Sequence, residues 1–148
     1  MIGKIQNDLK NAQFARDEVK VSTLRLLLSE VRNAEINKGG SLSDEDVISL
    51  VQKEVKKRKE AALGFRQGGR EGSAKREEAE LKVLESYLPA QLSNEELTKI
   101  VEETISEVGA SSTLDIGKVM GMVMSKVAGK ADGGSVSQIV KEKLSNKS

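Results

Sequence analysis

Apolar residues return every third or fourth position along almost the whole of this chain, and strand-like alternation is scarce. That period lines one side of a helix rather than one face of a sheet, so the sequence predicts an all-α protein. Ile2, Ile5, Leu9 and Ala12 belong to a first helix. Leu24, Leu27, Leu28, Val31 and Ala34 belong to a second, spanning about 17–38, which Gly39 and Gly40 stop. A third helix starts in the capping box Ser43-x-x-Asp46 and carries Val47, Leu50, Val51, Val55, Ala62 and Phe65 up to Gly68-Gly69. A fourth runs from about Ser73 through Leu81, Leu84 and Leu88 to Pro89, the only proline. A fresh box, Ser93-x-x-Glu96, restarts helix after it. The boundary is therefore expected here, dividing a helical amino-terminal domain (1–89) from a small three-helix carboxy-terminal domain (90–148). The three tail helices are expected over 93–108, 112–127 and 135–144, capped by Ser93, Ser112 (with Asp115) and Ser135 (with Gln138). Short connections make them pack on one another as a bundle.

Neither cysteine nor histidine occurs. Disulfides, the usual zinc sites, Ser-His-Asp triads and imidazole acid-base chemistry are thereby excluded, and no metal or cofactor is expected. The first twenty residues lack the continuous apolar run of a secretory signal, and no membrane span is visible, so the expected location is the cytoplasm. Net charge is only +1, so any affinity for nucleic acid must come from local charge.

One such concentration lies on the third helix and the connection after it. Between Lys53 and Arg76 there are nine basic and three acidic residues, and Lys53, Lys56, Lys57 and Lys59 fall opposite the apolar stripe. They form either a secondary phosphate-binding surface or a solvated face of good helix formers, and charge alone favours the latter. Glu35, Glu54 and Arg58 instead project among apolar residues, a pattern that favours a structural ion network over an acid-base site.

The second concentration is in the tail. The helix over 112–127 is expected to bury Ile116, Val119, Met120, Val123, Met124 and Val127, while Gly117, Gly121 and Ser125 share its opposite side with Lys118, Met122 and Lys126. Each interior glycine costs about 1 kcal/mol relative to alanine, which asks for a reason. Small residues in a row let another backbone come close, either a neighbouring helix or a sugar-phosphate chain, and the flanking lysines tilt the choice toward the anion. The loop Gly129-Lys130-Ala131-Asp132-Gly133-Gly134 then leads to Ser135, where a helix amino terminus beside Lys130 could receive a phosphate. Ordinary helix punctuation explains the same glycines equally well.

Taken together, the stretches TLRLLLSEVRNAEI (23–36), KEVKKRKEAALGF (53–65), EEAELKVLESYLPAQLSNEEL (77–97) and DIGKVMGMVMSKVAGKADGGSVSQIVKEKL (115–144) resemble the YqeY family. The tail of that family is shared with the GatB subunit of the aspartyl/glutamyl-tRNA amidotransferase. The resemblance implies a tRNA-binding accessory protein, working beside a tRNA-dependent amidotransferase or another tRNA enzyme. Residue by residue, the resemblance points at Gly117, Lys118, Gly121, Lys130, Asp132 and Gly133; Lys126, Gly134 and Ser135, singled out above by position, complete the expected RNA-binding set. The label that goes with it is carbon–nitrogen ligase with glutamine as amido donor, yet no residue of the chain is matched to that reaction, so no catalytic residue is expected. The alternatives are a hydrolytic or amidotransferase-like enzyme using inward carboxylates, and a helical protein-interaction module with no RNA role.

Overall fold

The computed structural model describes residues 1–147, so that Ser148, the last residue of the expected tail, lies outside them. All regular structure among the described residues is helical. The helices are α1 (Ile2–Ala15), α2 (Glu18–Lys38), α3 (Asp44–Gln67), α4 (Glu71–Glu85), α5 (Asn94–Val108), α6 (Ile116–Val127) and α7 (Gly133–Lys147). A single 3-10 turn, Thr113–Asp115, precedes α6. Two compact units result, one of Met1–Leu88 and one from Pro89 onward.

In the first unit α3 packs along α4, α1 packs on α2, and α2 also meets α3 and α4. Ile5, Leu24, Leu27, Val47, Val51, Val55, Leu84 and Tyr87 form its core. Each such aliphatic side chain contributes about 1.5–3 kcal/mol by leaving water. Both ends of α2 are built from local chemistry: the Asp17 carboxylate accepts from the Lys20 amide, and Gly39 closes the helix at φ 78°, where a Cβ would be strained. The expected box at the start of α3 is complete, Ser43 accepting from the Asp46 amide and Asp46 from the Ser43 amide. Lys38 also donates to Asp46 at 2.7 Å; that bond, with the Ser43 bonds, holds the Asp46 carboxyl below the usual carboxylate range.

Arg58 turns inward as the periodicity requires, but its partners are on α4. Its Nη1 donates to Glu77 at 3.0 Å and to Glu80, while its Nε is buried without a hydrogen-bond partner. Glu54, also buried, pairs with Lys57 at 3.3 Å, and Glu35 is half-buried. Arg58 and Glu54, expected to share one network with Glu35, therefore have separate partners.

Tyr87 is a further inward group. Its hydroxyl donates to Asp8 at 2.6 Å, tying the segment after α4 to α1, and Lys4 lies over its ring. Burial first, and then the bond to Asp8, push the phenol well above its ordinary value. A raised folded value means that Tyr87 contributes its full share below the unfolded pKa of about 10 and loses it as pH rises beyond. Tyr87→Phe is accordingly expected to remove part of the alkaline instability. In urea melts the parent should lose more between pH 8 and pH 11 than the variant, and equal losses would contradict this.

The second unit is a bundle in which α5, α6 and α7 all touch. Leu97, Val101, Ile105, Val119, Val123, Val127, Val136, Val140 and Leu144 are buried at its centre. The Ser93 box starting α5 is complete. The expected cap at Ser112 exists, with its hydroxyl accepting from the Leu114 amide, but it opens the 3-10 turn and α6 proper begins only at Ile116.

Candidate nucleic-acid interface

α6 buries Val119, Val123 and Val127 and leaves Ile116 and Met120 half-buried. Met124, expected in the buried stripe, is instead exposed, because at about 100° per residue it falls nearer to Gly117 and Gly121 than to the buried Val119 and Val123. On the far side Gly117, Gly121, Ser125 and Lys118 face outward, flanked by Met122. A Cβ built on Gly117 or Gly121 meets nothing within 4 Å. The glycines are thus not there to admit a neighbouring helix of this unit; the low stretch of surface they make is open to solvent.

Lys118 projects from that surface and forms no ion pair among the described residues. Lys126 behaves differently. It reaches back to α5, donating to Glu107 at 2.8 Å and to the buried Thr104 at 3.0 Å, so its charge is already matched.

At the end of α6 the chain turns through two consecutive residues of positive φ, Ala128 at 22° and Gly129 at 81°. An alanine there is strained, and the turn is held from outside: Gln91 donates to the Gly129 carbonyl at 3.0 Å and the Leu92 amide to the Lys130 carbonyl at 2.8 Å. The Lys130 side chain is left exposed on a fixed backbone.

The start of α7 departs from the sequence reading. The helix begins at Gly133, two residues before Ser135, and its cap is Asp132, whose carboxylate accepts from the Ser135 amide at 2.6 Å. The Val136 amide bonds the Asp132 carbonyl at 3.2 Å, which closes the first helical turn over Gly133 and Gly134. Aspartate caps as well as serine does, so the candidate nearer the loop takes the role. Gln138, the expected partner of a Ser135 box, bonds Glu142 instead. A negative charge therefore stands where this helix start was expected to receive one. Gly133, Gly134 and Asp132 serve the turn, and Lys118 and Lys130 are the cations that remain projecting.

On α3, Lys53, Lys56, Lys57 and Lys59 are all exposed, with Lys57 engaged by Glu54. Sequence reasoning missed Glu77, Glu80, Asp8 and Glu107, the carboxylates that hold Arg58, Tyr87 and Lys126. Their separations of 19 or more residues carry no local signal. Among the described residues no helix is long and apolar enough to cross a membrane, and no group of three or more Asp or Glu is arranged to hold a metal ion.

The sequence matches the family described as Yqey-like protein over residues 2–144. It is 32% identical to a protein of Pyrenophora tritici-repentis named altered inheritance of mitochondria protein 41, mitochondrial, over 96% of this chain and 80% of that protein. Proteins of the same name from Vanderwaltozyma polyspora and Saccharomyces cerevisiae are 31% and 23% identical, over 70% and 82% of this chain. The chain spans 58% of the former's length and 69% of the latter's. These names overturn the expected cytoplasmic location, since they are names of mitochondrial proteins. That expectation rested on the lack of a secretory run, which does not separate cytosol from organelle.

Proposed function

Because this chain belongs to the Yqey-like protein family, we propose that it is a tRNA-binding accessory protein of the kind its tail resembles, acting beside a tRNA-dependent amidotransferase or another tRNA enzyme, with no catalytic centre of its own. The mitochondrial names of its relatives favour the same role inside that organelle. In this reading the two units act as separate domains and the tail supplies the RNA contact. The observation that carries it is the open surface over Gly117 and Gly121, where an added Cβ would meet nothing within 4 Å and Lys118 is exposed alongside. Phosphate contacts fix a nucleic acid without reading its bases, and two phenylalanines and one tyrosine in the whole chain offer little for base stacking.

The test is anisotropy titration of unfractionated tRNA with the purified chain across a salt series. Lys118→Gln with Lys130→Gln is expected to flatten the slope of log K against log salt by about two units, without changing the preference among tRNAs. Lys126→Gln should do less, because Lys126 already holds Glu107. Unchanged slopes in the double variant would remove the tail from the RNA contact. A second reading, a protein-interaction module without RNA, is favoured by the apolar side chains Leu114, Met122 and Met124 exposed around the same surface. It predicts no salt-dependent tRNA binding at all.

A further inference from the structure

We propose that the outward face of α3 is a second phosphate-backbone docking surface, taking RNA through Lys53, Lys56 and Lys59. This deepens the tRNA reading, on which the choice of RNA rests, but it uses a unit that contains none of the tail's residues. The three lysines are exposed, and among the described residues none of them forms an ion pair, whereas Lys57 on the same helix turns to Glu54 and Arg58 to Glu77 and Glu80. Three residues apart, they stand about 4.5 Å from one another along the axis and about 60° apart around it, so the three ammonium groups fan over one side of α3. At its amino end this face borders a groove of about 410 Å³ between α2 and α3, where Asn37, Ser49 and Lys53 offer donors beside the apolar Ala34, Leu42 and Leu50. Asp46 also lines the groove, with its charge held by Lys38 at 2.7 Å.

A lipid surface fits this face poorly. A helix that lies in a membrane buries its apolar side there, and the apolar side of α3, Val47, Val51 and Val55, is consumed in the core of its own unit. Glu60 shares the outward face and weakens it, which supplies a variant of opposite sign.

The experiment uses the full chain, unfractionated tRNA and a salt series, with circular dichroism to confirm that each variant folds. Lys53→Gln, Lys56→Gln and Lys59→Gln combined should flatten the salt slope by about three units, and Glu60→Lys should steepen it by about one. If the triple variant and Glu60→Lys both keep the parent slope while the Lys118 and Lys130 replacements flatten it, the tail reading stands and this inference is overturned. If the α3 variants move the slope and the tail variants do not, this inference stands and the tail is excluded. A parent that binds no tRNA overturns both. Loss of binding to vesicles of phosphatidylcholine with phosphatidylserine, at unchanged tRNA affinity, would assign the face to a membrane and overturn it as well.

Discussion

Arg58→Ala is expected to destabilise the first unit by about 3 kcal/mol, because it strands the Glu77 carboxylate and leaves the buried Glu80 only a longer contact with the exposed Arg76, at 3.7 Å. The Arg58 and Glu80 side chains are only 15% and 8% exposed, so the penalty is one of desolvation more than of lost attraction. For a unit of this size the midpoint of thermal unfolding should drop by about 12–24 °C. Arg66 is the control. It too bridges to α4, through Glu71 at 3.0 Å and Glu78, but it stands in solvent, where such pairs contribute little, and Arg66→Ala should change the melt far less. Combining Arg58→Met with Glu77→Gln and Glu80→Gln removes the charges together and should recover most of the loss. Equal melting of Arg58→Ala and Arg66→Ala would show that burial does not govern this network.

Gly121→Leu is expected to separate stability from binding in the tail. Leucine is better than glycine in a helix interior by about 0.8 kcal/mol, and a Cβ here meets nothing within 4 Å, so the variant should melt no lower than the parent. The added side chain would fill the low surface beside Lys118 and hold a sugar-phosphate chain away. tRNA affinity should fall about tenfold or more, equivalent to about 1.4 kcal/mol. A variant that melts lower would mean that the surface is packed against something, and one that binds as the parent does would mean that RNA does not pass over Gly121.

What the sequence made legible was the chemistry that acts within one turn of helix. The boxes at Ser43 and Ser93 could be read because donor and acceptor lie three residues apart. The inward turn of Arg58 followed from periodicity alone. Its partners did not, because Glu77 and Glu80 come from the next helix, 19 and 22 positions on. The partner of Lys126 was hidden for the same reason: period placed the lysine beside the glycines, and only the packing of α5 on α6 brings Glu107 to it. The start of α7 failed differently. Asp132 and Ser135 are both competent caps, and two glycines between them left the choice to tertiary context. All-helical character and the openness of the glycines are separate questions, and only the first is set by composition and period.

The bonds from Gln91 and Leu92 to the carbonyls of Gly129 and Lys130 have a consequence for the order of folding. They span 38 residues and close a ring around α5 and α6 without any covalent link. Bringing such ends together costs about 3 kcal/mol of chain entropy, which single hydrogen bonds do not offset, so the ring shuts only once both helices have docked. The turn that presents Lys130 is then among the last parts of the unit to take shape. A nascent or partly melted tail would carry the same charges and lack the surface, which takes shape in one step with the completion of the bundle.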